Sequence, residues 1–257
     1  MNSTPAPYTV LITGASSGIG HELALRYLQQ GARVLVLARS GAQLDLLVKQ
    51  FPEHCVAIPV DLANVDESQR AGEKINQLVQ HLDLVILNAG TCEYVDATQL
   101  SRAPFEKVMA VNWWGTVNSL LFCLPLLRKN NSPTMRAQLV GISSMASILP
   151  MPRSQAYGAS KAAVEYLFNS LRVDLANEAI DITVIRPGFV KPPLTERNDF
   201  PLPFALTTAE AADNIVQGIR KRRWLVQFPW QLVWTMNTVA LLPLRMQVWL
   251  LCKISRT

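Results

Sequence analysis

Short apolar, β-prone runs recur along most of the chain, separated by stretches with helical periodicity. The first is Val10-Leu11-Ile12, within a strand predicted over 8–13. Others fall near 33–38, 55–60, 83–87, 137–143, 181–186 and 224–228. Between the first two, His21 to Gln30 reads as a helix with Leu23, Leu25 and Leu28 among its apolar positions. Strands alternating with helices predict a parallel sheet flanked by helices. The pattern changes after the last strand. From Pro229 to Thr257 the chain predicts two short apolar helices, near 230–242 and 244–254, beyond what residues 1–228 need to complete an α/β domain.

Composition narrows the picture. The 257 residues suit one α/β domain, and 49% hydrophobic against 17% charged residues exclude a disordered chain. No internal repeat or interdomain linker is visible. Cys55, Cys92, Cys123 and Cys252 show no CxxC spacing and no neighbouring His cluster, so neither a metal site nor a disulfide framework is expected. The first strand begins within about eight residues, which leaves no room for a signal peptide and gives a cytoplasmic expectation. The charge of +5 and pI near 9.2 come without a nucleic-acid-binding motif, so no nucleic-acid partner is expected.

Two local patterns carry chemistry. The first strand runs into Thr13-Gly14-Ala15-Ser16-Ser17-Gly18-Ile19-Gly20 and then into a helix. Glycines let the backbone approach a ligand, and free amides at the helix start face a pyrophosphate with favourable charge. This turn places the sheet in the doubly wound class. The second pattern is Tyr157-Gly158-Ala159-Ser160-Lys161, whose Tyr and Lys project from one helix face. A phenol has an ordinary pKa of about 10, and a fixed ammonium beside it favours the phenolate, making acid–base work accessible.

With both motifs in place, the sequence resembles the short-chain dehydrogenase/reductase family from about Tyr8 to Phe228, which implies a Rossmann-type, doubly wound, seven-stranded parallel sheet. Asn88-Ala89-Gly90 matches the family motif that supports the sheet and the cofactor pocket. Pro187-Gly188 matches the motif near the nicotinamide. The resemblance implies four catalytic residues, Asn112, Ser144, Tyr157 and Lys161; Ser144 is preferred over Ser143 because it lies thirteen residues before Tyr157. By that resemblance Tyr157 exchanges a proton with the substrate oxygen, Ser144 hydrogen-bonds it, Lys161 holds the nicotinamide ribose and lowers the Tyr pKa, and Asn112 holds a water leading to Lys161. Cofactor contacts are implied for Gly14, Ser16, Ser17, Gly18, Ile19, Gly20, Asp61, Leu62, Asn88, Ala89, Gly90, Tyr157, Lys161, Pro187, Gly188 and Val190.

The end of the second strand bears on which nucleotide is used. NAD-preferring members carry Asp where this chain has Ala38, and Arg39 follows. A cation with a planar fork of donors suits a 2′-phosphate, with Ser40 and Ser17 adding hydroxyls, so NADP(H) is expected. One departure stands out: Pro192 replaces the Thr that contacts the nicotinamide carboxamide in relatives, leaving the Val190 backbone or Thr195 to compensate.

The segment 189–206, with Met145, Leu149 and Met151, predicts an apolar pocket for a hydrophobic, lipid-like carbonyl or alcohol; Arg153 and Lys191 are the nearby cations. Within 229–257, Trp230, Trp234 and Trp249, with Arg222, Arg223, Arg245 and Lys253, fit peripheral contact at the inner membrane surface. They also fit packing on the domain, a substrate cover, or a homo-oligomer contact. The expected function is hydride transfer between NADP(H) and such a substrate, the alternative being a nucleotide-binding sensor or scaffold without turnover.

Overall fold

The computed structural model describes residues 8–130, 135–191 and 203–254. Its elements are β1 (Thr9–Thr13), α1 (Gly18–Gln29), β2 (Arg33–Ala38), α2 (Gly41–Gln50), β3 (Cys55–Pro59), α3 (Val65–Leu78), β4 (Leu84–Leu87), α4 (Ala103–Met109), a π-helical turn (Ala110–Trp114), α5 (Gly115–Arg128), β5 (Ala137–Ile142), α6 (Gln155–Asp174), β6 (Ile180–Pro187), α7 (Thr208–Arg220), β7 (Leu225–Phe228), α8 (Trp230–Ala240) and α9 (Leu244–Ile254). The seven strands form one sheet in the order β3-β2-β1-β4-β5-β6-β7, parallel at every pairing. The expected doubly wound α/β fold is present.

Side-chain alternation along each strand divides the core in two. Val10 and Ile12 of β1, Val34 and Val36 of β2, Leu84 and Ile86 of β4, and Val140 and Ile142 of β5 face one layer, with Leu23 and Leu28 of α1, Leu44 and Leu47 of α2 and Ile215 and Ile219 of α7. Leu11, Leu35, Leu37, Val85, Leu87 and Leu139 face the other, against Ile75 of α3, Phe122 and Leu126 of α5, and Val164 and Phe168 of α6. Apolar residues at consecutive strand positions are thus required by burial on both faces. Helices α4 and α5 join through the π turn into a 26-residue segment, Ala103–Arg128, apolar and long enough to cross a membrane. Leu120, Phe122, Cys123, Leu126 and Leu127 of this segment pack instead in the second core layer, as expected for the core helix of an α/β domain.

The chain passes from β3 at one edge back to β4, beside β1, so the strand order reverses between β1 and β4. In such sheets ligands bind at the carboxyl ends of the strands at that reversal. Helix α1 starts at Gly18, three residues before the expected His21, because Ser17 is extended (φ −159°, ψ 172°) and the helix follows at once. The last two helices fall close to their expected spans. Leu232 and Met236 of α8 and Leu251 of α9 form a separate apolar cluster with Met145 and Leu149.

Candidate active site

Thr13 at the end of β1 ties the two sides of the strand reversal together. Its hydroxyl accepts the backbone N–H groups of Asn88 (2.9 Å) and Ala89 (3.0 Å), while Asn88 Nδ2 donates to the carbonyls of Thr13 (3.0 Å) and Gly14 (3.3 Å). The glycine turn packs tightly on this junction: a Cβ on Gly20 would stand 2.3 Å from the Gly14 carbonyl oxygen and 2.5 Å from Asn88 Nδ2. No other residue fits there.

Beyond the junction opens a cleft of about 600 Å³. Its walls include Gly14, Ser16, Ser17 and Ile19 from the glycine turn, Arg39 and Ser40 after β2, Asp61 and Leu62 after β3, and Asn88, Ala89 and Gly90 after β4. Ser144 after β5, Tyr157 and Lys161 of α6, and Pro187, Gly188 and Val190 at and after the end of β6 complete the expected set. Gly18, Gly20 and Asn112 do not line it: Gly18 opens α1 at positive φ, Gly20 packs against Gly14 and Asn88, and Asn112 is buried. Pro192 and Thr195 lie outside the described residues, as does most of segment 189–206. Its described ends are clipped together, Lys191 N–H to the Leu206 carbonyl (2.8 Å) and Leu206 N–H to the Phe189 carbonyl (3.0 Å).

Arg39 is exposed, with no hydrogen bond or ion pair among the described residues. Asp61 is held by an Asx turn to Ala63 N–H (3.0 Å), and its own N–H donates to Glu67 (2.8 Å). The Leu62 carbonyl receives Ser68 Oγ (3.1 Å) and Asn118 Nδ2 (2.9 Å).

Asn112 sits in the π turn and clamps the floor. Its Oδ1 accepts Thr91 N–H (2.7 Å), and its Nδ2 donates to the Thr91 carbonyl (3.0 Å) and to Ser160 Oγ (2.9 Å). Ser160 in turn donates to the Tyr157 carbonyl (2.7 Å), so Asn112 fixes the turn of α6 that carries the Tyr and Lys. An ideal Cβ on Gly90 would lie 3.2 Å from Lys161 Nζ and 3.3 Å from Asn112 Oδ1, so both polar atoms converge on one point beside the cleft.

Lys161 is buried and Nζ donates to the Ile142 carbonyl (2.9 Å), 5.8 Å from the centroid of the Tyr157 ring. Burial lowers its pKa to about 8, with Cys92 pulling the other way. The Tyr157 phenol moves oppositely: burial pushes it up to about 12, and the nearby Ser144 hydroxyl draws it down. The lowering expected from Lys161 does not govern this phenol. Both groups share one low-dielectric pocket that favours the neutral form of each. Ser144 also caps the 3₁₀ turn Met145–Ser147 by accepting Ala146 N–H (3.1 Å). Ser143 turns away, its hydroxyl donating to the Lys161 carbonyl (3.1 Å), which leaves Ser144 as the serine beside the phenol.

Sequence reasoning missed Thr91, Cys92 and Val111 among the lining residues. It also missed Glu165 and Arg186, whose ion pair lies behind Ser143 and Ser147. It placed Arg222 near lipid; instead Arg222 pairs with Asp181 and donates to the Arg136 carbonyl (2.8 Å), at the opposite end of β7 from α8. Among the described residues no cluster of His, Cys, Asp and Glu could hold a metal.

The family model described as short chain dehydrogenase matches residues 8–201. An uncharacterized oxidoreductase of Myxococcus xanthus is 37% identical over 242 residues, 91% of this chain and 92% of the relative. An 11-beta-hydroxysteroid dehydrogenase-like protein of Arabidopsis thaliana is 31% identical, over 88% of this chain and 74% of the relative. Among solved structures, RhlG of Pseudomonas aeruginosa in an active-site complex with NADP is similar at 34% identity, with a TM-score of 0.68 over 75% of this chain and 76% of that one. A short-chain dehydrogenase/reductase of Burkholderia phymatum in complex with NAD shares the fold at 21% identity, with a TM-score of 0.79 over 90% and 92%.

Proposed function

Because the chain belongs to the short-chain dehydrogenase family of oxidoreductases, we propose that it reduces a carbonyl group on a hydrophobic substrate with NADPH. The reading rests on the convergence of Ser144, Tyr157 and Lys161 at the wall of the cleft, next to an apolar cluster built from Met145, Leu149, Leu232 and Met236. The donor set fits a dinucleotide: a turn whose Gly14 and Gly20 admit no side chain, the Asn88–Gly90 edge, and Lys161. Exposed Arg39, with Ser17 and Ser40 on the same wall and Ala38 in place of an acid, favours a 2′-phosphorylated ribose. When bound, that nucleotide supplies the hydride.

The chain's own residues do the rest. Ser144 donates to the carbonyl oxygen as charge develops there. Tyr157, protonated throughout the neutral range, delivers the proton to that oxygen. Lys161 is fixed by Ile142 on one side, and Asn112 and Gly90 bound the space through which its proton is replenished. The hydroxysteroid dehydrogenase-like relatives support an apolar substrate class. Self-association is part of the same reading, supported by exposed Leu121 of α5 and Tyr166 and Val173 of α6.

The test is nucleotide consumption by the purified protein with medium- and long-chain ketones and aldehydes, NADPH against NADH, with Tyr157→Phe as control. Turnover selective for NADPH and lost in the variant is expected. Equal turnover by Tyr157→Phe would sink the assignment.

A further inference from the structure

Helix α9 buries little of its apolar surface. Leu251 is its one buried large side chain among the described residues, while Leu244 (65%), Met246, Val248 and Trp249 (57%) are exposed. Helix α8 places Leu232 and Met236 inward, and its outer side carries Trp230 (74%) and Trp234 (71%), with Leu241 (87%) just beyond its end. Exposed apolar patches of this kind mark interaction sites. The pattern of charge indicates what they meet. Arg245, Trp249 and Lys253 follow one another at four-residue intervals on α9, so a cation flanks the indole one turn away on either side. Lys253 Nζ lies 3.8 Å from the centroid of the Trp249 ring. Neither helix carries an Asp or Glu, and Arg245 and Lys253 are the basic residues between Trp230 and Ile254.

We propose that the outer face of α8 and α9 docks in the plane of an anionic lipid bilayer. Trp230, Trp234 and Trp249 would sit at headgroup depth, and Arg245 and Lys253 would extend to lipid phosphates. A second copy of the chain is the poorer occupant. A two-fold contact would set this face against itself, bringing Arg245 and Lys253 toward their own counterparts with no carboxylate on either helix to answer them. The inference is independent of the catalytic reading, because lipid binding needs no turnover.

The experiment is flotation of the full-length protein with vesicles of phosphatidylcholine alone and of phosphatidylcholine mixed with phosphatidylglycerol, at low and high salt. The wild type is expected to float with the mixed vesicles at low salt, to be released by salt, and to ignore the neutral ones. Each basic residue near an anionic surface contributes modestly, so Arg245→Gln/Lys253→Gln should weaken binding about tenfold or more. Trp234→Gln/Trp249→Gln should weaken it comparably. Both variants should keep the wild-type circular dichroism spectrum and melting profile. The salt titration of the wild type gives a reading even if a variant fails to fold. Wild-type protein that stays with the supernatant at low salt overturns the proposal, as does a charge-deleted variant that floats as well as the parent. A wild-type dimer broken by the tryptophan substitutions, with no flotation, assigns the face to a second copy and overturns it equally.

Discussion

Glu165 of α6 and Arg186 of β6 meet behind the loop that carries Ser144, Arg186 Nε donating to Glu165 Oε2 at 2.8 Å. The same carboxylate oxygen accepts Ser147 Oγ (2.9 Å) and Ser143 Oγ (3.3 Å), on either side of Ser144. One side chain thereby fastens three elements of the site: the Ser144 loop, the helix bearing Tyr157 and Lys161, and the strand ending in Pro187. Burial would raise the Glu165 pKa, but Arg186 and the two hydroxyls outweigh it and hold the carboxyl below its usual range. The charge is thus kept at neutral pH, and its contribution to stability is lost as the pH falls through the lowered value.

Glu165→Gln should therefore destabilise the protein by about 3 kcal/mol, since it leaves a largely buried guanidinium without its counter-charge. Turnover should fall with kcat while KM for the nucleotide stays nearly constant, because Glu165 positions Ser144 and does not line the cleft. Thermal melting and initial rates check both. A variant as stable and active as the parent would show the pair to be incidental.

Lys161 and Tyr157 give opposite pH signatures in the protein without added nucleotide. The folded-state pKa of Lys161, about 8, lies below its ordinary 10.5, so between those values the unfolded chain binds more protons and stability from this group rises with pH. Tyr157, pushed up to about 12, works the other way: its contribution is complete below about pH 10 and declines above it. Lys161→Met should thus gain stability relative to wild type near pH 7, by up to about 3 kcal/mol, and lose that advantage near pH 10. The lost hydrogen bond to Ile142 shifts both measurements alike. A melting-temperature difference independent of pH would mean that the buried ammonium carries no such penalty.

Arg39 offers a test confined to the nucleotide. It is exposed and makes no hydrogen bond or ion pair among the described residues, so Arg39→Asp should leave stability within about 0.5 kcal/mol. Losing a charge-assisted fork and gaining a carboxylate should turn the NADPH-to-NADH preference by about a hundredfold. Dissociation constants for both nucleotides, from fluorescence titration, decide it. An unchanged ratio would remove Arg39 from the phosphate site.

The parts of the site legible in the sequence are those whose chemistry is contiguous. Thr13–Gly20 and Tyr157–Lys161 each place their functional atoms within one or two turns, so spacing alone predicts their relation. The strands were legible for a similar reason: burial on both faces makes each an unbroken apolar run. What escaped depends on distant partners. Asn112 reaches Thr91 and Ser160 from the π turn Ala110–Trp114, which no residue pattern announced. Glu165 and Arg186 lie on a helix and a strand 21 residues apart, each reading locally as an ordinary charged residue. Arg222 was read beside the tail tryptophans because it is near them in sequence, yet β7 separates its end from theirs and Asp181 holds it.

Gly90 provides the sharpest separation of stability from function. Its backbone is one that any residue adopts, so Gly90→Ala costs nothing in conformation and should slightly disfavour the unfolded chain. The new methyl would nevertheless stand 3.2 Å from Lys161 Nζ and 3.3 Å from Asn112 Oδ1. Asn112 cannot yield, being held by Thr91 through two hydrogen bonds, whereas the ammonium ends a flexible chain and can move by a few tenths of an ångström. The displacement should therefore fall on Lys161. Since small misplacements of catalytic groups cost large factors, turnover should drop about tenfold with melting temperature unchanged or slightly raised. Nucleotide affinity should weaken in parallel, because the same ammonium is assigned to the ribose. Loss of stability without loss of rate would place the strain on the Asn112 clamp instead, and would detach Lys161 from the role proposed for it.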